Sequence, residues 1–553
     1  MPAPSPGAAL AAVVQEFLTS LYETHPTLAA SLGLHDYDGR VPDLSERGRA
    51  GRASALRGQA ARAAAIAPDE AGLTRDERHD LTLVRLAIDE ELFELESLRD
   101  LERNPITYSG AIDVSNYVKR DYAPLERRVA ALTEHLRRIP EVLAVARATL
   151  RPPLPRPFID TALDVYGGTV TYHEGELPAA VHAGVSTEAR SAFERANTAA
   201  LAALRGFVQY LAGDLRPTAI AEFAIGEERF RTMLRLGEMV DLDLDRLLEI
   251  GRQDLATNTQ RLRAACEVAA PGMAVRDVIK RQSSDHPAAD RLVDEAARVL
   301  DELRAFVGAN AIVTIPSDVP ARVEPTPPFL RWAFAMMDTA GPFEPSSESF
   351  YYVTPPEPVW TAAETEEWLT KFDYATLRDV GIHEVYPGHY VHFLHVRGIG
   401  RPLRQVLSSY AFVEGWAHDC EQLMLERGFR PDDTALRIAQ LSEALLRDVR
   451  FVAAIEMHTR GMRVEEAARL FVDHAYLEAL PAEKEAVRGT FDPGYLNYTL
   501  GKLMLRRLRD DVRAREGARF DLRAFHDALL GLGAPPLPLA RRTLLGEDAG
   551  PLL

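Results

Sequence analysis

STEARSAFERANTAALAALRGFVQYLAGD, residues 186–214, is the stretch whose reading decides the fold class. Ser186 offers a hydroxyl cap at its start, and Leu204, Phe207, Val208 and Leu211 recur at i, i+3, i+4 and i+7. Gly213 and Pro217 mark its end. An apolar stripe at this period is the core-facing side of an amphipathic helix. The same pattern returns over roughly 7–32, 68–102, 123–149, 243–268, 288–309, 408–427, 433–459, 464–479 and 495–515. Strand-like runs are confined to Ile312–Ile315 and Phe350–Val353, β-branched or aromatic and bracketed by Pro and Gly. A mainly α protein with a few short β-strands is expected.

Working outward, the Pro-rich stretches 152–157 and 316–328 and the polar stretch 282–289 are too short for interdomain linkers. No internal repeat appears. Residues 1–553 are therefore expected to form a single large helical domain, of one body or of two lobes around a cleft. Gly 35 and Pro 36 in 553 residues are ordinary globular values, which excludes collagen-like, mucin-like and largely disordered classes. The net charge of −18 argues against nucleic acid or an anionic membrane as the main partner. Of the basic residues only five are lysine and 59 are arginine, so the arginines mark coding bias before they mark a site. Two cysteines, Cys266 and Cys420, are too few for a disulfide framework. Residues 1–25 lack a basic start and carry Glu16 and Glu23, so they predict a helix of the mature protein rather than a signal peptide. No apolar run is long enough to span a membrane. A cytoplasmic protein is expected.

The chemistry is concentrated in GIHEVYPGHYVHFLH, residues 381–395. A His-Glu pair followed closely by a second His is the logic of zinc-dependent hydrolysis: two imidazoles hold the ion, and the Glu takes a proton from the water it activates. The usual second position, i+4 from His383, is Pro387, and the next histidine is His389 at i+6. Six residues of regular helix would place the two rings about 120° apart. Pro387 has no N–H for the carbonyl of His383, and Gly388 frees the backbone after it. Local unwinding or a π-type bulge is expected there, bringing His389 back beside His383. A similar pair, His173-Glu174 with His182 beyond it, is read as a decoy, and His392 and His395 as exposed residues of the continuing helix. The next helical run, 408–426, sets Glu414, His418 and Glu421 on one face among apolar neighbours. Glu414 is costly to bury there without a cation.

These segments carry a resemblance. His383-Glu-x-x-Pro-Gly-His389 followed by Glu414-Gly-Trp-Ala-x-x-x-Glu421 resembles the bacterial family catalogued as domain of unknown function 885. Pro26-x-x-Ala-x-x-Leu-Gly33 with Asp43-Leu-Ser45 resembles its N-terminal signature, and Tyr498-x-x-Gly501 with Leu508-Arg509 its C-terminal motif. Arg450 and His458 fall where that family has an Arg and a His eight residues apart. The chain departs from the pattern before His458 and at His418-Asp419. The family is similar in fold to the helical gluzincin zinc carboxypeptidases and their angiotensin-converting and oligopeptidase-type relatives. A metallopeptidase-like fold with a central cleft and a metal-site core at about 350–515 is therefore implied. His383, His389 and Glu414 become ligands of Zn²⁺, and Glu384 the general base.

Lesser candidates stand beside these. Tyr498 would donate to the oxyanion, or else be a buried structural tyrosine; His458 would do the same or orient substrate. Glu421 is expected to be the partner of a ligand histidine, with His418 beside it. Arg450 would bind a substrate carboxylate, with Arg447 and Arg506 as alternatives. Tyr351 would belong to an edge strand along which a peptide lies, or to a core strand. The implied function is a zinc-dependent hydrolase of peptide bonds, a carboxypeptidase or oligopeptidase acting on short peptides. A hydrolase of a small-molecule amide and a silent helical binding protein are the alternatives.

Overall fold

The computed structural model of the chain describes residues 5–66, 72–182, 184–327, 334–546 and 550–553. The deciding stretch is a helix, Thr187–Tyr210, capped by Ser186, whose hydroxyl accepts the N–H of Ala189 at 3.2 Å. Phe193, Ala196, Ala200, Leu204 and Phe207 form its buried stripe. A wider helical turn, Leu211–Leu215, then leads to Pro217, and the helix is over. The other expected helical runs also carry helices, and the fold is mainly α. No described helix is long and apolar enough to cross a membrane.

The chain divides into two compact units, Met1–Phe223 with Ala340–Ser346, and Ala224–Thr339 with Ser347–Leu553. In the first unit the helices Leu125–Thr149, Arg156–Glu174 and Thr187–Tyr210 supply much of the core. Tyr166 meets Phe207 edge-on at 4.8 Å between ring centres and donates its hydroxyl to the carbonyl of Pro105. His173 is fully buried and bonded to Asn197 through Nδ1 at 2.8 Å, while Glu174 pairs with Arg205 at the surface. The pair read as a decoy is thus part of helix packing.

The second unit carries a small sheet of β1 (Arg322–Pro325), β2 (Ala335–Asp338) and β3 (Phe350–Val353) in the order β1-β3-β2. β1 runs parallel to β3, and β2 antiparallel, with Met337 opposite Tyr351. Phe350–Val353 is therefore the central strand rather than an edge. Ile312–Ile315 is not a strand. Its backbone groups are taken up by side chains: the Ile312 carbonyl accepts from His526, the Thr314 N–H donates to Asp527, and the Thr314 carbonyl accepts from His395. Ile312 and Val313 are buried, which accounts for their apolar character without a ladder.

Six helices frame the site: α1 (Tyr374–Glu384), α2 (His389–Gly398), α3 (Tyr410–Glu426), α4 (Thr434–Thr459), α5 (Ala479–Phe491) and α6 (Asn497–Glu516). The tightest crossing is α3 on α6. A Cβ on Gly501 would stand 1.8 Å from the Ala411 carbonyl oxygen, and one on Gly415 would stand 2.4 Å from the carbonyl carbon of Gly501. The two backbones meet with no room for a side chain. Gly501→Ala is accordingly expected to destabilise the protein by about 1–3 kcal/mol or more, as overpacking against backbone does. Urea denaturation measures it, and an unchanged midpoint would contradict the contact.

Candidate metal centre

The helix bearing His383 does not bulge; it breaks. α1 ends at Glu384, four residues turn back on themselves, and α2 begins at His389. The N–H of Tyr386 reaches the carbonyl of Gly381, and that of Gly388 reaches the carbonyl of Ile382 at 3.0 Å. Gly388 is required because any Cβ there would lie 1.7 Å from the His383 carbonyl oxygen. Trp416 of α3 donates its indole N–H to the Pro387 carbonyl at 3.0 Å and pins the turn.

The result brings His383 and His389 together at 4.8 Å between ring centres. Nε2 of each lies 3.5 Å from Oε2 of Glu414. Among the described residues, His383, His389 and Glu414 form a group whose ligand atoms all lie within 4.8 Å of one another. Tetrahedral zinc with ligands at about 2.0–2.1 Å would set such atoms about 3.3 Å apart. The donor set fits. One buried atom fits it further: Oε2 of Glu414 has no hydrogen-bond partner. The electrostatics agree. Burial opposes charge on His383, yet the Glu414 and Glu421 carboxylates raise its pKa to about 10. Burial also opposes ionisation of Glu414, but His389 and His383 hold its carboxyl well below the usual range.

Glu421 is bonded to His383. Its Oε1 accepts from Nδ1 of His383 at 2.7 Å, which fixes the ring and turns Nε2 toward Glu414. Its Oε2 accepts from Nδ1 of His418 at 3.0 Å. His418 is fully buried, and burial drives its pKa down to about 3, so it is a neutral donor to Glu421. Arg447 completes the carboxylate's surroundings, 3.1 Å from Oε1, and also pairs with Glu443 at 3.2 Å. Asp419, the other departure from the family pattern, is buried against Arg506 and Arg509.

Glu384 lies at the end of α1, and its Oε2 accepts the N–H of Met337 from β2 at 3.2 Å. Tyr351 sits fully buried opposite Met337, its hydroxyl without a partner and its pKa raised by burial and by Glu384. The ring of Tyr498 stands 6.4 Å from that of His383 and nearly parallel to it. It is half-buried, at the head of α6.

Two candidates have other partners. Arg450 is buried, and Glu485 closes its fork with bonds of 2.7 and 2.8 Å, so no open fork faces a substrate. His458 is buried too. Its Nε2 donates to the Gly489 carbonyl at 2.7 Å and its Nδ1 faces the Ile225 N–H at 3.4 Å, which occupies both ring nitrogens. His392, expected to be exposed, is buried with Nε2 on the Gly533 carbonyl; His395 bonds to Thr314. Sequence reading missed Tyr410 and Arg488. Tyr410 precedes Glu414 by one helical turn on α3, a spacing that could have revealed it. Arg488 carried no signal at all.

The family model for bacterial proteins of unknown function, DUF885, matches residues 26–544. No curated protein matches the chain. A solved structure from Shewanella oneidensis, a candidate lipoprotein of unknown function, is 22% identical with a TM-score of 0.80, covering 98% of this chain and 100% of its own. A candidate lipoprotein from Colwellia psychrerythraea is 16% identical with a TM-score of 0.82, covering 98% of both chains. Both share the fold. Metallocarboxypeptidase 1 of Trypanosoma cruzi, at 11% identity and a TM-score of 0.35 over 98% of this chain and 94% of that one, is too distant to inform it.

Proposed function

Because the chain belongs to the DUF885 family, whose function is unknown, its chemistry has to come from its own site, and we propose a zinc-dependent hydrolase of peptide bonds acting on short peptides. His383, His389 and Glu414 would hold the ion, which when bound supplies Lewis acidity to water and to the scissile carbonyl. Glu384 takes the proton of the attacking water and passes it to the leaving amine. Tyr498 donates its hydroxyl hydrogen to the oxygen on which negative charge develops.

One observation carries the choice of a peptide over a small amide. In β2 the carbonyl of Phe334 points inward to the N–H of Thr354, so by alternation Ala335 and Met337 face outward. The Met337 N–H on that outer edge reaches Glu384. An extended substrate pairing with this edge would pass beside the general base. The edge strand is thus β2, and Tyr351 on β3 lies behind it.

Between the two modes of cleavage, the arginines favour internal cutting. Arg450 is closed by Glu485, Arg447 by Glu421 and Glu443, and Arg506 by Asp419 and Glu426. Opening a buried pair to admit a substrate carboxylate is costly. A short peptide and its C-terminal amide are therefore expected to be cleaved with kcat/KM equal within about threefold by the zinc-loaded protein. A preference for the free acid above about tenfold, roughly 1.4 kcal/mol, would instead mark a carboxypeptidase. Failure to cleave any of a set of short peptides, with activity on small amides, would favour the second reading. Neither nucleic acid nor membrane enters this proposal. A cytoplasmic location, suggested by two free buried cysteines, is part of it. Two solved relatives are candidate lipoproteins, and fractionation that recovers this chain with membranes would replace that assignment.

A further inference from the structure

At its first residue, β2 adjoins exposed aromatic surface. Phe334 immediately precedes the strand and keeps 48% exposure, although its side chain is large and wholly apolar. Its ring lies 4.8 Å from that of Trp368, on the helix Ala362–Leu369, and 6.2 Å from that of Phe372. Trp360 meets Trp368 edge-on at 5.2 Å. Phe372 is buried, and the two tryptophans are half-buried. Trp368 is fixed by its indole N–H, which donates to the Thr354 carbonyl at 2.9 Å. The cluster is thus firm beneath and open at Phe334.

Strand geometry says what this surface meets. The Phe334 carbonyl accepts the Thr354 N–H on the inner edge of β2, so the main-chain groups of Ala335 and Met337 lie on the outer one. A peptide extended along that outer edge puts its side chains on alternate faces, and directly opposed residues share a face. The residue opposite Phe334 therefore lies against the Phe334 ring. Three residues separate Phe334 from Met337, whose N–H holds Glu384, which is about 10 Å of strand. An aromatic side chain at that place covers exposed apolar surface and adds ring-on-ring contact; a polar one leaves the ring in water.

We propose that Phe334, backed by Trp368, is a specificity-determining residue: it takes an aromatic side chain of an extended peptide, about three residues along the chain from the residue beside Glu384. This rests on the hydrolase reading above and narrows its substrates to peptides with an aromatic residue at a fixed distance from the cut.

The test uses the zinc-loaded protein and a set of polar dodecapeptides in which one Phe is moved along the chain a residue at a time, with the cut located by mass spectrometry. The cut is expected to travel with the Phe at a constant offset of about two to four residues. On the best of these peptides kcat/KM should exceed that on the same peptide with Ser in place of Phe by about tenfold or more, as filling an apolar pocket does. Phe334→Ser should bring the two within about threefold, and Phe334→Tyr should restore the preference. A second measurement needs no turnover. Metal-free protein is titrated with the peptide carrying para-nitrophenylalanine, whose ring quenches nearby tryptophans; saturable quenching is expected in the wild type and its loss in Phe334→Ser. If the protein cleaves peptides at sites that do not follow the Phe, prefers Lys to Phe, or keeps its Phe preference in Phe334→Ser, the aromatic subsite is overturned and the hydrolase reading stands. If no peptide is cut but quenching still depends on Phe334, the hydrolase reading fails and the subsite stands. Absence of both cleavage and quenching overturns both.

Discussion

Glu384→Gln is expected to keep its metal and its fold while kcat falls by about 10²- to 10⁴-fold, the usual worth of a general base. The carboxylate is anchored by the Met337 N–H at 3.2 Å, so its place is fixed by β2 and by the end of α1. Glutamine has nearly the same shape and can accept that N–H through its carbonyl oxygen. It cannot accept the proton of the attacking water. The loss should appear in kcat, with KM little altered, because binding of the intact substrate does not need the base. Steady-state kinetics beside elemental analysis of the same sample measure both halves. Near-wild-type turnover by a metal-loaded variant would remove Glu384 from the reaction.

The second large effect is loss of the ion itself. The wild type is expected to hold about one transition metal per chain, as a three-ligand site with an open position does. His389→Ala should hold far less and lose activity with it. Removing one of three donors leaves Glu414, whose Oε2 lies 3.5 Å from both imidazoles, to share a cation with His383 alone. His389 is also placed by a turn that has no slack, since Gly388 already packs against the His383 carbonyl. No neighbouring histidine replaces it: His392 is bonded to Gly533 and His418 to Glu421. Equal metal in wild type and in folded His389→Ala would exclude His389 from the site.

Much of this site was legible because its residues are close in sequence and obey local rules. Pro387 and Gly388 announced a distortion between the histidines, and the helix does stop there. Glu414 and Glu421 were readable as one helical face, and both lie against His383. What was illegible depends on partners far along the chain. Arg450 and His458 keep helical spacing, but Glu485 and Gly489, about 30 residues later, engage their polar groups. Arg488 meets Tyr410 from 78 residues away. Periodicity failed for the sheet in both directions. β2, Ala335–Asp338, has no β-branched residue, yet it pairs with β3; in Ile312–Ile315 all four residues are β-branched, yet side chains satisfy its backbone. Four-residue strands at a sheet margin owe their existence to neighbours more than to propensity.

The Gly415–Gly501 crossing divides the molecule's evolutionary freedom. Glu414 precedes Gly415 by one residue, and Tyr498 precedes Gly501 by three, so both side chains ride on two backbones that meet at one point. Their separation is set by peptide groups, which side-chain substitution elsewhere cannot retune in small steps. β2 obeys no such constraint, since its outward face meets the site through a main-chain N–H available from any residue but proline. Selection can therefore rewrite what lies along the strand while the two helices that meet at the glycines are inherited as a block. Descendants of this fold would diverge in what they accept long before they diverge in how they act on it.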